Sequence, residues 1–316
     1  MRTVALDGLP VSAEGLGCWG MSEVYGPTDW EQSIATIRRA IDLGITFLDT
    51  ADAYGAGHNE VLVGRAIAGR RDRVQIATKV GIDRSMGGMS LRGEPAYIRR
   101  GCEASLLRLG IEVIDLYYLH RPPAANPIEE SIGAMAELVA EGKVRHLGVC
   151  EVNPDQLRRA HATHPITAVQ SEYSLWTRDP ETLGTTDVMR ELAIGLVPYS
   201  PLGRGFFTAT VDVDELQADD MRRLNPRFAD GAAKANQPFL DTVRSIADAR
   251  NSTPAQIALA WVIAQSDRLG IPVVPIPGTK RADRVEENAR AVDIALSAAE
   301  LATLGRLADH VVGARY

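Results

Sequence analysis

Apolar positions along the 316 residues follow two rhythms that alternate with little interruption. Over 29–43 (DWEQSIATIRRAIDL), Ile34, Ile37 and Ile41 share one helical face. Thr28 and Glu31 stand at capping-box spacing before it, and Gly44 suits the left-handed position after it. The run ITFLDT at 45–50 is too short for a helix and reads as a buried strand. A helical pattern over 58–69 leads to a strand at 74–79. Pro95 then opens a helix carrying Ile98, Cys102, Leu106 and Leu109, and a strand follows at 113–120. Asn126-Pro127 opens the next helix, which Gly142 ends. Further strands are expected at 144–149, 166–170, 196–200 and 271–276, with helices at about 153–162, 186–194, 237–250, 254–265 and 281–291. A short strand near 15–19 brings the count to eight. Strands alternating with helices of this length predict βαβ units and a parallel sheet. Eight such units predict an α/β fold, a (β/α)8 TIM barrel occupying 1–316 as a single domain. An N-terminal hairpin turned at Asp7-Gly8 precedes it, and a long loop over about 206–236 follows strand seven.

Composition narrows the class. The net charge of −7 argues against a nucleic-acid partner and against an anionic membrane surface. Three cysteines without C-x-x-C spacing fit a reducing, cytoplasmic setting. Asp7 interrupts the N-terminus before any signal-peptide core forms, and no apolar run reaches membrane-spanning length. The histidines outside the strand ends show no ligand spacing, so no metal is expected.

One motif misleads. GLGCWG at 15–20 matches G-x-G-x-x-G, yet the following helix starts near residue 29, after Pro27, and not inside the glycines. A dinucleotide fingerprint needs that helix N-terminus beside the pyrophosphate. The glycine-rich first strand of a barrel is the preferred reading.

Strand ends carry the candidate chemistry. Asp49 closes the second strand with Tyr54 five residues on, Lys79 closes the third, and His120 closes the fourth. In a barrel these ends meet at one rim, where active sites sit. Singly, each has an ordinary explanation as a turn, packing, solvated or rim residue. Together they form a proton-donor set: Lys79 lowers the phenol pKa, Asp49 orients the ammonium, and His120 hydrogen-bonds a carbonyl oxygen.

With these residues the chain resembles the aldo-keto reductase superfamily, whose signature is an Asp, Tyr, Lys, His tetrad on this barrel. GVCEVNP (148–154), VQSEYSLWTRDPE (169–181), GLVPYSPLGRGF (195–206) and PIPGTKRADRVEEN (275–288) fall in family order. EYSLWTRDPE and SPLGRGF are most similar to the perakine reductase-like and pyridoxal reductase-like branch. The resemblance implies that NADPH reduces a small aldehyde or ketone, with Tyr54 as general acid, His120 and Lys79 assisting, and Asp49 paired with Lys79. It places Tyr199 on the nicotinamide and Gln170 near its carboxamide. Ser200, Leu202, Gly203 and Arg204 would lie along the pyrophosphate, with Gly278 and Thr279 in the cofactor segment and Glu287 and Asn288 at the adenine. Reduction of C=C or C=N, or an NADPH-binding regulatory subunit, are the alternatives on the same scaffold.

Lys280, Arg281 and Arg284 crowd a helix start, where the dipole disfavours cations. A 2′-phosphate among them explains that placement, the alternative being a solvated basic turn. Cys150-Glu151 stands where many family members carry Ser-Asn, and Cys150 reads equally as small buried packing. Trp19, at the end of strand one, and Trp176 are candidates for the substrate pocket, Trp19 being as compatible with a core role. The pocket walls are expected from loops at about 80–95, 120–127 and 206–236.

Overall fold

The computed structural model describes all residues except 86, 214, 219 and 230, so those positions of the expected loops at 80–95 and 206–236 lie outside the described residues. Two strands, β1 (Thr3–Leu6) and β2 (Leu9–Ser12), pair antiparallel across Asp7-Gly8. Both turn residues have positive φ, 39° and 85°, the backbone that a tight hairpin requires. The barrel strands are β3 (Leu16–Gly17), β4 (Phe47–Asp49) and β5 (Gln75–Val80), with a small added hairpin of β6 (Ile82–Asp83) and β7 (Ser90–Leu91). Then follow β8 (Ile114–Leu119), β9 (Val144–Cys150), β10 (Ile166–Glu172) and β11 (Gly195–Tyr199). They form one parallel sheet in the order β11-β10-β9-β8-β5-β4-β3, with helices between them.

The expected eighth strand is in place but is not a regular ladder. Val274 and Ile276 donate to Leu196 and Pro198 of β11 at 2.9 and 3.0 Å. On its other side the segment only accepts, Gly15 and Gly17 donating to Pro275 and Pro277 at 2.9 and 3.2 Å. Pro272, Pro275 and Pro277 have no N–H, so the seam runs in one direction. The seam is also tight. A Cβ on Gly17 would lie 2.8 Å from the Ile276 carbonyl oxygen, and one on Gly15 would lie 2.8 Å from that of Phe47. Two glycines of the misleading motif thus serve the close approach of backbones.

Side-chain parity fixes what faces inward. Phe47, Ala77, Leu116, Tyr118, Cys150, Ala168, Val197 and Ile276 form one buried cluster with Leu6, Leu9 and Val11 of the hairpin, which plugs the barrel base. Leu48, Ile76, Tyr117, Leu147, Val169 and Leu196, of the opposite parity, pack outward against the helices. One step of two beyond the inward set lie Asp49, Lys79, His120, Gln170 and Tyr199. Beside the hairpin, Glu14 is buried, its Oε2 has no partner among the described residues, and burial pushes its pKa up to about 8.

Helix starts differ in detail. The first helix, Trp30–Asp42, is capped by Asp29, whose side chain accepts from the Gln32 amide at 2.7 Å, and not by Thr28. Its neighbour in the expectation, Asn126, bonds Glu130 at 3.2 Å, while Pro127 takes the cap position of Ile128–Ala140. Among the described residues, no helix is long and apolar enough to cross a membrane.

Candidate active site

Lys79 Nζ is the centre of the site. The side chain is fully buried, and its three N–H groups are all satisfied: by Asp49 Oδ1, by the Thr50 carbonyl at 2.9 Å and by the Tyr54 hydroxyl at 2.9 Å. Gln170 Nε2 donates to the second carboxylate oxygen, Asp49 Oδ2, at 2.7 Å. Burial is the largest influence and opposes the charge on Lys79, but the charge and hydrogen bond of Asp49, with Tyr54 and Cys150, together outweigh it and hold the ammonium pKa above its ordinary value. Tyr54 is brought in by a short turn. The Asp52 amide donates to the Lys79 carbonyl at 3.2 Å, and Asn59 clamps the loop by donating to the Cys18 carbonyl at 2.8 Å while accepting from Thr50.

Burial pushes the Tyr54 pKa up to about 12 against the pull of Lys79. The sequence expectation of a lowered phenol therefore does not hold, because Asp49 already neutralises the ammonium and the ring is out of water. His120 stands edge-on to Tyr54, ring centres 5.8 Å apart. Its amide donates to the Val80 carbonyl at 2.8 Å, and its Nδ1 is buried without a partner among the described residues. Burial, then Lys79 and Arg121, hold its pKa well below the ordinary histidine range, so the ring is neutral at pH 7.

These groups open into a cavity of about 840 Å³. Asp49, Tyr54, His120, Gln170, Tyr199, Ser200, Leu202, Arg204, Gly278, Thr279 and Lys280 all line it, as does Trp19. Trp19 stacks on Tyr54 at 5.7 Å and donates its indole N–H to Glu23 at 2.9 Å. Trp176 does not reach the cavity. It is buried against Phe206, Phe207 and Phe228, and a Cβ on Gly203 would lie 2.8 Å from its ring. Trp176 is therefore the floor beneath the 200–205 turn, and Gly203 is buried between the two. Cys150 packs in the barrel interior, where burial pushes its thiol up to about 12.

The basic turn is less open than its sequence suggests. Lys280 Nζ donates to the carbonyls of Tyr25, Gly26 and Pro27 at 2.7, 3.2 and 2.8 Å. Arg284 pairs with Glu287 at 2.8 Å, and Asn288 is buried; none of these three lines the cavity. The helix that carries Arg284 and Asn288, Ala282–Ala289, has no side-chain bond from its N-cap Arg281, and the Asp283 carboxylate takes up the N–H groups of Asp283 and Arg284.

Sequence reasoning missed the far wall. Arg315 ion-pairs with Glu151, with Glu172 at 3.3 Å and with Asp179 at 3.1 Å, and donates to the Tyr199 hydroxyl at 2.9 Å. Tyr316 hydrogen-bonds that same hydroxyl at 2.6 Å and lines the cavity. No local spacing signals such distant partners. Arg84, paired with Glu23 at 2.7 Å, and Arg121 also line it. Among the described residues no three His, Cys, Asp or Glu side chains gather as a metal site.

The sequence profile of the Aldo/keto reductase family matches residues 15–309. The chain belongs to this family. It is 45% identical over 315 residues to a probable aldo-keto reductase 1 of Glycine max, covering 98% of this chain and 90% of that protein. The solved glycerol dehydrogenase of Gluconobacter oxydans superposes with a TM-score of 0.87 at 28% identity, over 98% of this chain and 95% of that one. An aldo/keto reductase of Klebsiella pneumoniae, solved with NADP and acetate, gives 0.76 at 32% identity, over 97% and 95%. Aldo-keto reductases are oxidoreductases that use a nicotinamide cofactor, and the fold here is their (β/α)8 barrel.

Proposed function

We propose that this protein is an NADPH-dependent carbonyl reductase that converts a small aldehyde or ketone to an alcohol. The observation that carries the reading is the Tyr54 hydroxyl accepting from Lys79 at 2.9 Å beside a neutral His120, at the wall of a cavity.

The residues present fit the cofactor. Ser200, Leu202 and Arg204 line the cleft on a turn with positive φ at Ser200 and Arg204 (49° and 57°), and Gly278 and Thr279 line it after the adjoining segment. Tyr199 offers a ring to the nicotinamide, and the Arg284 guanidinium, held by Glu287, offers donors to a 2′-phosphate, which favours NADPH over NADH. Glu287 and Asn288 lie on the same helix as Arg284, outside the cavity lining, and their assignment to the adenine rests on the family resemblance. Bound there, NADPH supplies the hydride that makes the carbonyl oxygen basic.

The chain's own groups handle the proton. A phenol held near 12 stays protonated at neutral pH, as a proton donor must. The developing alkoxide is more basic than a phenolate and takes the proton; the new phenolate is stabilised by Lys79, already in hydrogen-bond contact. Neutral His120 orients the carbonyl oxygen through a ring N–H. Asp49 and Gln170 keep Lys79 charged and aimed. The test is steady-state NADPH oxidation with aldehydes, ketones, keto-sugars and pyridoxal: multiple turnovers of a carbonyl support the reading, and one slow turnover at most refutes it.

A further inference from the structure

Charge around the cavity is almost completely paired. Arg84 is matched by Glu23, Arg204 by Glu172, Arg222 by Asp220 and Arg281 by Asp283. Lys280 gives all three N–H groups to backbone carbonyls. Arg121 is the exception among the described residues: it lines the cavity, is partly buried, and its one hydrogen bond goes from Nη1 to the carbonyl of His120 at 2.7 Å. Glu151, directly after the next strand, attracts Arg121 through space but takes its guanidinium hydrogen bond from Arg315, which leaves the Arg121 N–H groups unclaimed by it. A guanidinium taken partly out of water with most of its five N–H groups unmatched is costly unless a ligand completes it.

Topology says which ligand. Counting round the barrel from β3, Arg121 follows the fourth strand and the 279–284 turn follows the eighth, so the two stand on opposite sides of the rim. Arg121 is therefore remote from the basic turn and adjacent to His120, at the carbonyl-reducing end. A single unmatched cation balances one negative charge, which suits a carboxylate better than a phosphate dianion.

We propose that Arg121 is a specificity-determining residue that takes the carboxylate of an oxo-acid substrate, whose carbonyl then meets Tyr54 and His120. The carbonyl half of this proposal rests on the reductase reading above. The test compares the three formylbenzoate isomers with their methyl esters as substrates of the wild type, Arg121→Met and Arg121→Lys. For the best isomer, the wild type is expected to favour acid over ester in kcat/KM by about ten- to a hundredfold. In R121M this ratio collapses, through KM for the acid, and R121K restores part of it. Calorimetric titration of the corresponding hydroxymethylbenzoate into protein saturated with NADP+ reads the same site without turnover, with binding expected in the wild type and lost in R121M. Equal use of acids and esters by the wild type, or equal binding by wild type and R121M, overturns the proposal. Failure to reduce any of the esters or acids, with Arg121-dependent binding intact, overturns the reductase reading instead.

Discussion

Lys79 donates to the Tyr54 hydroxyl at 2.9 Å, so the phenol oxygen is an acceptor on its buried side and its own proton is left for the cavity. With every N–H of Lys79 engaged, the ammonium has one orientation and the phenol one direction in which to give. Tyr54→Phe removes that proton without disturbing the ring stack on Trp19. Reduction should fall by about 10²–10⁴-fold while NADPH still quenches protein fluorescence with wild-type affinity. Retained turnover would refute the acid assignment.

The raised Tyr54 pKa sets a pH profile. The acid form persists through neutral pH, so kcat/KM for reduction should stay level with respect to this group and fall only as the phenol ionises towards 12. A loss centred near pH 7 to 8 that vanishes from the residual activity of Tyr54→Phe would show that the phenol ionises there instead.

Lys280 and Arg284 should separate in their effects. Lys280 ties the 25–27 turn to the start of the last barrel helix, so Lys280→Ala loosens a wall shared by both cofactors. Arg284 is held only by its neighbour Glu287. Arg284→Ala should raise KM for NADPH about tenfold with little change for NADH, whereas Lys280→Ala raises both. Equal effects of Arg284→Ala on the two cofactors would remove the phosphate assignment.

Glu14 makes stability pH-dependent. Its folded pKa of about 8 lies above the unfolded value of 4.5, so between those values the unfolded chain releases a proton that the folded chain keeps. Stability contributed by the protonated form is complete below about 4.5 and is lost as pH rises to about 8. Glu14→Gln should raise Tm by a few degrees at pH 8 and hardly at pH 4, followed by circular dichroism; the reverse order would show that Glu14 is ionised in the fold.

Arg315 holds three carboxylates and the Tyr199 hydroxyl at once. Arg315→Met leaves buried Glu172 with Arg204, Arg227 and Thr177, and leaves the Tyr199 hydroxyl with Tyr316. Stopped-flow release of NADPH should be faster by about tenfold, with loss of stability of about 1–3 kcal/mol in urea. An unchanged release rate would show that the Tyr199 wall is set by the barrel alone.

Period-two strands made the tetrad legible, because Asp49, Lys79 and His120 end consecutive inward rows and the parallel topology aligns those ends. The same logic could not see that Trp176 faces a phenylalanine cluster and not the cavity, since WTRD carries no periodicity. Nor could it see the occupants of Lys280, which are backbone carbonyls 250 or so positions away in the chain. Arg121 sits in plain view beside His120, yet what distinguishes it, the lack of a carboxylate hydrogen-bond partner among the described residues, becomes visible only when the other cavity-lining arginines have each found one. Arg315 and Tyr316 lie beyond the last helical pattern, where sequence offers neither rhythm nor cap.

The proline-rich closing segment has a mechanical side. Between β3 and that segment, Gly15 and Gly17 are the donors, and their two bonds have no reciprocal pair. Gly278, directly beyond, bridges to Gly17 and lines the cleft. A ligand seated against Gly278 therefore leans on the barrel's lightest joint, and that joint carries two reporters of its own. The amide protons of Gly15 and Gly17 should exchange more slowly when the cleft is filled, which turns a seam in the scaffold into a strain gauge for occupancy.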